Sequence, residues 1–228
     1  MQTSARKHQP VACLVSTSQR CKYYWGDYRE GLQLLTGRRL TQTQDYLPEI
    51  SVTLKPGQIK PSTQTWLEDV AESFALVGAF LMIAHPELYM AGQKVFFEII
   101  HNPAVIKEGD AVLEVLKYWT SPFSGYGLVS NCITPFHRDN NSQGQWYDFL
   151  TTIGPYSGGR LVIYNLGLEF VYESGTMVAL LGKLLRHGVM APEGDRICLA
   201  QYMRDNVHPR MGIASPGWMT LTTYGIPS

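Results

Sequence analysis

The pattern of residues changes character near position 120, and that change limits the folds open to the chain. Before it, helical signals dominate. Thr65 and Glu68 form a capping-box pattern ahead of an apolar run, which predicts a helix over 66–84. Pro86 suits the first turn of a second helix reaching to about residue 100, and a third is expected over 110–118. The apolar residues of these helices read mostly as core. After residue 120 come short β-rich runs broken by Gly, Pro, Asn and Ser. They predict strands near 126–134, 146–153, 160–165, 176–181, 184–189, 195–203 and 218–224. Helices first and many short strands after predict an α+β chain whose second half is a barrel or jelly roll. The 228 residues fit a single domain: a loose polar arm over 1–20, supporting helices over 60–120 and a β core over 121–228.

Composition excludes some functions. Nineteen basic residues balance nineteen acidic ones, so bulk positive charge cannot hold a nucleic acid. The balance is uneven along the chain. Residues 1–60 carry nine basic and four acidic side chains, whereas 61–200 carry eight and fourteen. Arg6, Lys7, Arg20, Lys22, Arg38 and Arg39 are candidates for phosphate contacts if the N-terminal segment folds beside the barrel mouth; a plain solvated face is the alternative. Cys13, Cys21, Cys132 and Cys198 form no C-x-x-C pair, which argues against structural zinc and for reduced thiols. The longest apolar run, 74–84, is far short of the roughly 20 residues a bilayer span takes. The chain is expected to be soluble, with no membrane partner and no evident obligate protein partner.

The chemistry is expected in the β half. His137 and Asp139 stand two positions apart, and on a strand such side chains share a face. His187 lies in an apolar run further on. Two His and one carboxylate make the facial triad of non-haem Fe(II) oxygenases. A turn-capping His137 and a satisfied core His187 are the structural alternative. Arg196 follows nine residues after His187, across a turn, near the start of a strand. A guanidinium inside a barrel needs an anionic partner, and its planar fork suits a carboxylate. A dicarboxylate co-substrate fits, one end on iron and the other on Arg196; a salt bridge to Asp195 or Glu193 is the alternative, and Arg204 is the reserve candidate of equal parity. Asn131 shares the parity of His137 and could face the co-substrate, against a structural polar role.

The order His137-x-Asp139, Gly158-Gly159-Arg160-Leu161-Val162, Glu173-Ser174-Gly175, His187, Arg196 resembles the Fe(II)/2-oxoglutarate-dependent dioxygenases. The resemblance implies a double-stranded β-helix core with N-terminal supporting helices, and Fe(II), 2-oxoglutarate and O2 as the reacting set. Within that superfamily the triplet His137-Arg138-Asp139 and the stretch Arg196 to Tyr202 are similar to the TET/JBP branch, in its short fungal or protist form. That branch oxidises methylated bases in nucleic acid. The resemblance implies that Arg196 holds 2-oxoglutarate and that Tyr202, six positions on, stacks on a flipped base; ordinary strand packing is the alternative for Tyr202. Asn140 and Asn141 are candidates for base-edge contacts. Cys198 stands where TET proteins have a Ser beside the co-substrate, and the Cys-rich zinc region of animal TET proteins has no counterpart here.

The expected function is oxidation of a methyl group on a base of duplex DNA, 5-methylcytosine first and N6-methyladenine second, with the base flipped out. A nuclear location follows from that substrate; otherwise the chain is cytoplasmic. Hydroxylation of a protein side chain or a small metabolite keeps the same iron chemistry. A non-enzymatic β-barrel binding module is the third reading, and the full set His137, Asp139, His187 and Arg196 argues against it. Trp146, Tyr147, Phe123 and Tyr126 line either the entrance or the core. His85, His101 and His208 are expected as solvent-facing or capping residues.

Overall fold

The computed structural model describes Leu54 and residues 61–225 except 132, 141 and 191. The basic N-terminal candidates and Asn141 lie outside the described residues. Helices come first: α1 (Pro61–Asp69), α2 (Ala71–Ala84), α3 (Pro86–His101) and α4 (Gly109–Leu116). The single helix expected over 66–84 is two, meeting at Val70, and Thr65 lies inside α1 rather than capping it. At the start of α3, Pro86 occupies the first turn as expected. The Nδ1 atom of His85 accepts the Leu88 N–H there, satisfying a donor the helix leaves open.

The strands are β1 (Gly125–Ser130), β2 (Thr134–His137), β3 (Asp148–Ile153), β4 (Tyr156–Ser157), β5 (Arg160–Ile163), β6 (Leu168–Val171), β7 (Met177–Leu180), β8 (His187–Met190), β9 (Glu193–Gly194) and β10 (Ile197–Tyr202), followed by the one-turn helix α5 (Val207–Arg210). They form two antiparallel four-stranded sheets, ordered β1-β10-β3-β7 and β2-β8-β5-β6, with β4 and β9 paired separately. This is the double-stranded β-helix. The expected strand over 218–224 is instead a 3-10 turn, Leu221–Tyr224, closed by a Thr220–Thr223 capping box.

Alternation along β10 organises both layers. Leu199 joins the helical core with Phe74, Val95, Trp119 and Tyr126, whereas Cys198 and Ala200 face the space between the sheets with Leu150, Leu161, Ile163, Leu180 and Val189. The helices therefore cover the outer face of the first sheet. Tyr126 is the centre of that contact, with its ring 4.9 Å from Phe74 and 5.2 Å from both Trp66 and Trp119. Gly92 allows α3 to approach: a Cβ there would run into the Pro122 carbonyl and the Met203 side chain. The expectation that the apolar helix residues are core holds for one face only. Leu76, Phe80 and Ile83 of α2 and Phe97 and Ile100 of α3 are exposed. Phe123, Tyr126 and Trp146 are core rather than entrance.

His208, expected at the surface, is buried on α5 with its ring 4.6 Å from Trp146. Burial pushes its pKa down from 6.5 to about 4. The folded state thus resists a proton that the unfolded state accepts. The resulting stability is present above pH 6.5 and is lost as pH falls towards 4, at up to about 1.4 kcal/mol per pH unit. His208→Phe, which keeps a ring against Trp146, should flatten this dependence. Urea unfolding at about pH 7 and pH 5 should show a drop in the native protein larger by up to ~2 kcal/mol than in the variant. Equal drops would remove His208 from the acid response.

Candidate functional site

The site is built where β2 ends and β8 begins. The two strands pair with His137 opposite His187, after a bulge between Thr134 and His137. Asp139 lies just past the end of β2. Its N–H donates to the Gly182 carbonyl, which holds the chain extended and keeps the carboxylate on the His137 side. The Nε2 of His137 is 3.6 Å from Asp139 Oδ1, and the Nε2 of His187 is 3.6 Å from Oδ2. One ligand atom from each of the three residues lies within 4.8 Å of the others.

Both imidazoles are set in the tautomer a metal requires. The Nδ1–H of His137 donates to the Pro135 carbonyl at 2.8 Å, and that of His187 donates to the Leu185 carbonyl at 2.9 Å. Each Nε2 then keeps its lone pair and points at the shared carboxylate. Burial lowers the pKa of His187, outweighing the opposing Leu185 hydrogen bond and Asp139 charge, so the neutral form is favoured. A hard carboxylate with two neutral imidazoles suits Fe(II) and leaves a face open for other ligands.

Residues that the sequence reading missed shape this centre. Asp148, at the start of β3, is buried, and among the described residues neither carboxylate oxygen has a hydrogen-bond partner. Burial first, and the Asp139 charge second, hold its pKa well above the usual carboxylate range, against an opposing pull from Arg204. Gly182 separates the two carboxylates. A Cβ there would collide with Asp139 Oδ2 and with Asp148 Oδ2. Gly182→Ala should therefore displace the metal carboxylate and weaken Fe(II) affinity by about 10- to 100-fold, the scale seen when support around a ligand is lost. Titration with Fe(II) or Co(II) under anaerobic conditions measures it; unchanged affinity would show that Asp139 moves aside freely.

Arg196 precedes β10 and has the parity of Cys198 and Ala200, so it enters the space between the sheets. It is 1% exposed. Its Nε–H donates to Thr152 Oγ1 at 2.9 Å, and its guanidinium carbon stands 5.0 Å from the Tyr172 ring centre. Both terminal nitrogens are buried and make no hydrogen bond of good geometry among the described residues, although the Tyr172 hydroxyl and the Cys198 thiol stand near the guanidinium. The alternative of a salt bridge to Asp195 or Glu193 is not what forms. A buried guanidinium with two idle N–H edges is an anion site, and its planar fork fits a carboxylate. Cys198 lies beside it, buried, with Sγ 3.6 Å from the Tyr172 hydroxyl. Thr152 opposes Cys198 in the β3–β10 register, so it was findable only once that register was known.

Asn131 is elsewhere. Its backbone turns left-handed at φ 51°, its side chain is exposed, and its amide is committed to Asp195 and to the Arg196 N–H. Strand alternation does not carry from Asn131 to His137, because the strand breaks there and a bulge follows. Asn131 fixes the backbone from which Arg196 departs, and its amide is not presented to the interior. Tyr202 ends β10, half-buried on the inner-face parity, with Arg204 packed 4.7 Å over its ring. Asn140 is exposed in the turn after Asp139. A cavity of about 370 Å³ opens beside His137, which lines it together with Arg138 and Arg186.

Comparisons with known proteins agree with this geometry. The family model Tet_JBP, described as the oxygenase domain of the 2OGFeDO superfamily, matches residues 55–205. No curated protein matches the chain. Among solved structures, NgTET1 in complex with 5mC DNA superposes with a TM-score of 0.52 at 12% identity, over 71% of this chain. This chain spans 57% of that one. At such identity the likeness is one of fold, and it places the two-sheet core and its supporting helices in the same architecture. The match to the family model covers well over half the residues, so the chain belongs to the Tet_JBP family, the oxygenase domain of the Fe(II)- and 2-oxoglutarate-dependent dioxygenase superfamily.

Proposed function

We propose that the chain oxidises the methyl group of a methylated base in duplex DNA, with 5-methylcytosine the first candidate and N6-methyladenine the second. The observation that carries the oxygenase chemistry is the pairing of two features: the compact His137–Asp139–His187 set and a buried Arg196 whose terminal nitrogens await an anion. The DNA substrate is supported by the TET/JBP family and by the fold shared with a protein solved on 5mC DNA. A nuclear location goes with this substrate.

Fe(II), 2-oxoglutarate and O2 together supply the oxidising power. The roles proposed for the chain are positional. His137, Asp139 and His187 hold the metal on one face. Arg196 takes the far carboxylate of 2-oxoglutarate through its two idle N–H edges, with Thr152 fixing the plane of the fork and Tyr172 covering its face. Cys198 packs beside this carboxylate, offering a thiol where related enzymes offer a hydroxyl. A methyl group inside a duplex cannot reach such a centre, so the base must leave the stack. Tyr202 is the proposed platform for it, worth about 1–3 kcal/mol of stacking, and Asn140 and Asn141 the proposed base-edge contacts.

Neutral net charge favours the second reading, a protein side chain or small metabolite as substrate. Succinate formation separates the two. The rate should rise when a methylated duplex is added and stay low with unmethylated DNA of the same sequence. A rate indifferent to DNA would move the substrate to the second class.

A further inference from the structure

Arg138 and Arg186 stand next to the metal residues in sequence. Arg138 sits between His137 and Asp139, and Arg186 directly precedes His187. Because His137 is opposite His187, continuing the β2–β8 register puts Arg138 opposite Arg186. Like charges directly across a strand pair repel. Among the described residues, neither arginine has an acidic side chain within 4.0 Å. Both are exposed, and both line the 370 Å³ cavity together with His137.

Arg186 is also held in place. Its guanidinium carbon stands 4.8 Å from the Tyr164 ring centre and 5.9 Å from that of Phe136, and those two rings are 5.1 Å apart. Its backbone is tied on both sides: the N–H donates to Asn165 Oδ1, and the carbonyl accepts from Tyr164 N–H at 2.7 Å. Stacking holds the faces of a guanidinium and leaves its N–H edges free in the plane. The placement runs against the surrounding charge. Residues 61–200 carry fourteen acidic side chains and eight basic ones, yet two of those eight meet at this rim.

We propose that Arg138 and Arg186 form a phosphate clamp at the cavity beside His137, gripping the phosphodiester next to the nucleotide presented to His137, Asp139 and His187. This rests on the DNA reading above and adds to it where the backbone is held. Two convergent arginines satisfy a diester anion with charge-assisted N–H bonds and relieve their own repulsion. The clamp sets register on the strand and carries no base information.

The test is binding of a fluorescent methylated duplex, followed by anisotropy across a series of salt concentrations. Each lost phosphate contact lowers the slope of log Kd against log salt by about 0.9. Arg138→Gln should lower it by about one, and the double variant R138Q/R186Q by about two. R138K/R186K, which keeps both charges, should retain the native slope. If the double variant does not fold, Arg138→Gln alone decides, since Arg138 is exposed and lies outside the Phe136–Arg186–Tyr164 stack. A native protein that binds duplex with a slope unchanged in Arg138→Gln and R138Q/R186Q overturns the clamp and leaves the DNA reading standing. A native protein that binds no duplex overturns both.

Discussion

Replacing Arg196 with Met should raise the KM for 2-oxoglutarate by roughly 30-fold to several thousand-fold, the range for removing one partner of a buried charge pair at about 2–5 kcal/mol. The reason is the accounting of its nitrogens. Nε is used by Thr152 and one face by Tyr172, and among the described residues the two terminal nitrogens make no hydrogen bond of good geometry, with only the Tyr172 hydroxyl and the Cys198 thiol near the guanidinium. They are buried, so water does not serve them either. A structural arginine would be paired. The same variant distinguishes the two roles through stability. Without co-substrate, removing an uncompensated buried charge should leave the melting temperature unchanged or higher. Adding 2-oxoglutarate with a redox-inert divalent metal should raise the melting temperature of the native protein by mass action and leave that of R196M nearly unmoved. An apo R196M that melts far below the native protein, with the KM unaltered, would make Arg196 a structural residue.

Asp139→Ala should take turnover to the level of a blank without enzyme, and iron content from about one per chain to near zero. Asp139 is the hinge of the metal set: each oxygen faces one imidazole, and without it two neutral rings remain with no charge to balance a divalent cation. The fold should survive, because Asp139 lies beyond the end of β2 and is half-exposed; its backbone N–H, which bonds Gly182, is kept in alanine. Circular dichroism and a melting curve check this. Asp139→Ala with native iron stoichiometry would move the metal elsewhere, and the buried Asp148 across Gly182 would be the first place to look.

Much of this site could be read in the sequence because it is local. His137 and Asp139 are two residues apart, and Arg186-His187 and Arg196 each sit on or beside one strand, where alternation fixes the side. Arg196 and Tyr202 share a parity that one strand settles. The rest depends on pairing between strands far apart in the chain. Thr152 meets Arg196 only because β3 pairs with β10, and Tyr172 reaches it from the end of β6, in the other sheet. Asp148 and Gly182 come together through the β3–β7 pairing that sets Asp148 opposite Leu180. No single-strand pattern contains that. The opposition of Arg138 and Arg186 likewise needed the β2–β8 register.

Misread elements have identifiable causes. Residues 218–224 are rich in Thr and aromatics and suit a strand by propensity, yet the local Thr220–Thr223 capping box satisfies the backbone first. Asn131 was placed by counting in twos through a bulge. On α2 the apolar residues surround the helix, so periodicity could not say which face is buried, and Leu76, Phe80 and Ile83 remain exposed. His85 caps α3 as its place after a helix end suggests, but it does so from a buried position against Tyr147; His208, which also follows an element end, is enclosed against Trp146.

The most direct measurement of the central claim is made on the product. Purified protein with Fe(II), 2-oxoglutarate and ascorbate is incubated with duplex DNA carrying either 5-methylcytosine or N6-methyladenine, and the DNA is digested to nucleosides for mass spectrometry. The expected result is loss of one methylated nucleoside, appearance of its oxidised form, and neither change with Asp139→Ala. Both methylated nucleosides intact while succinate accumulates would contradict it, and would assign the same iron chemistry to a substrate other than DNA.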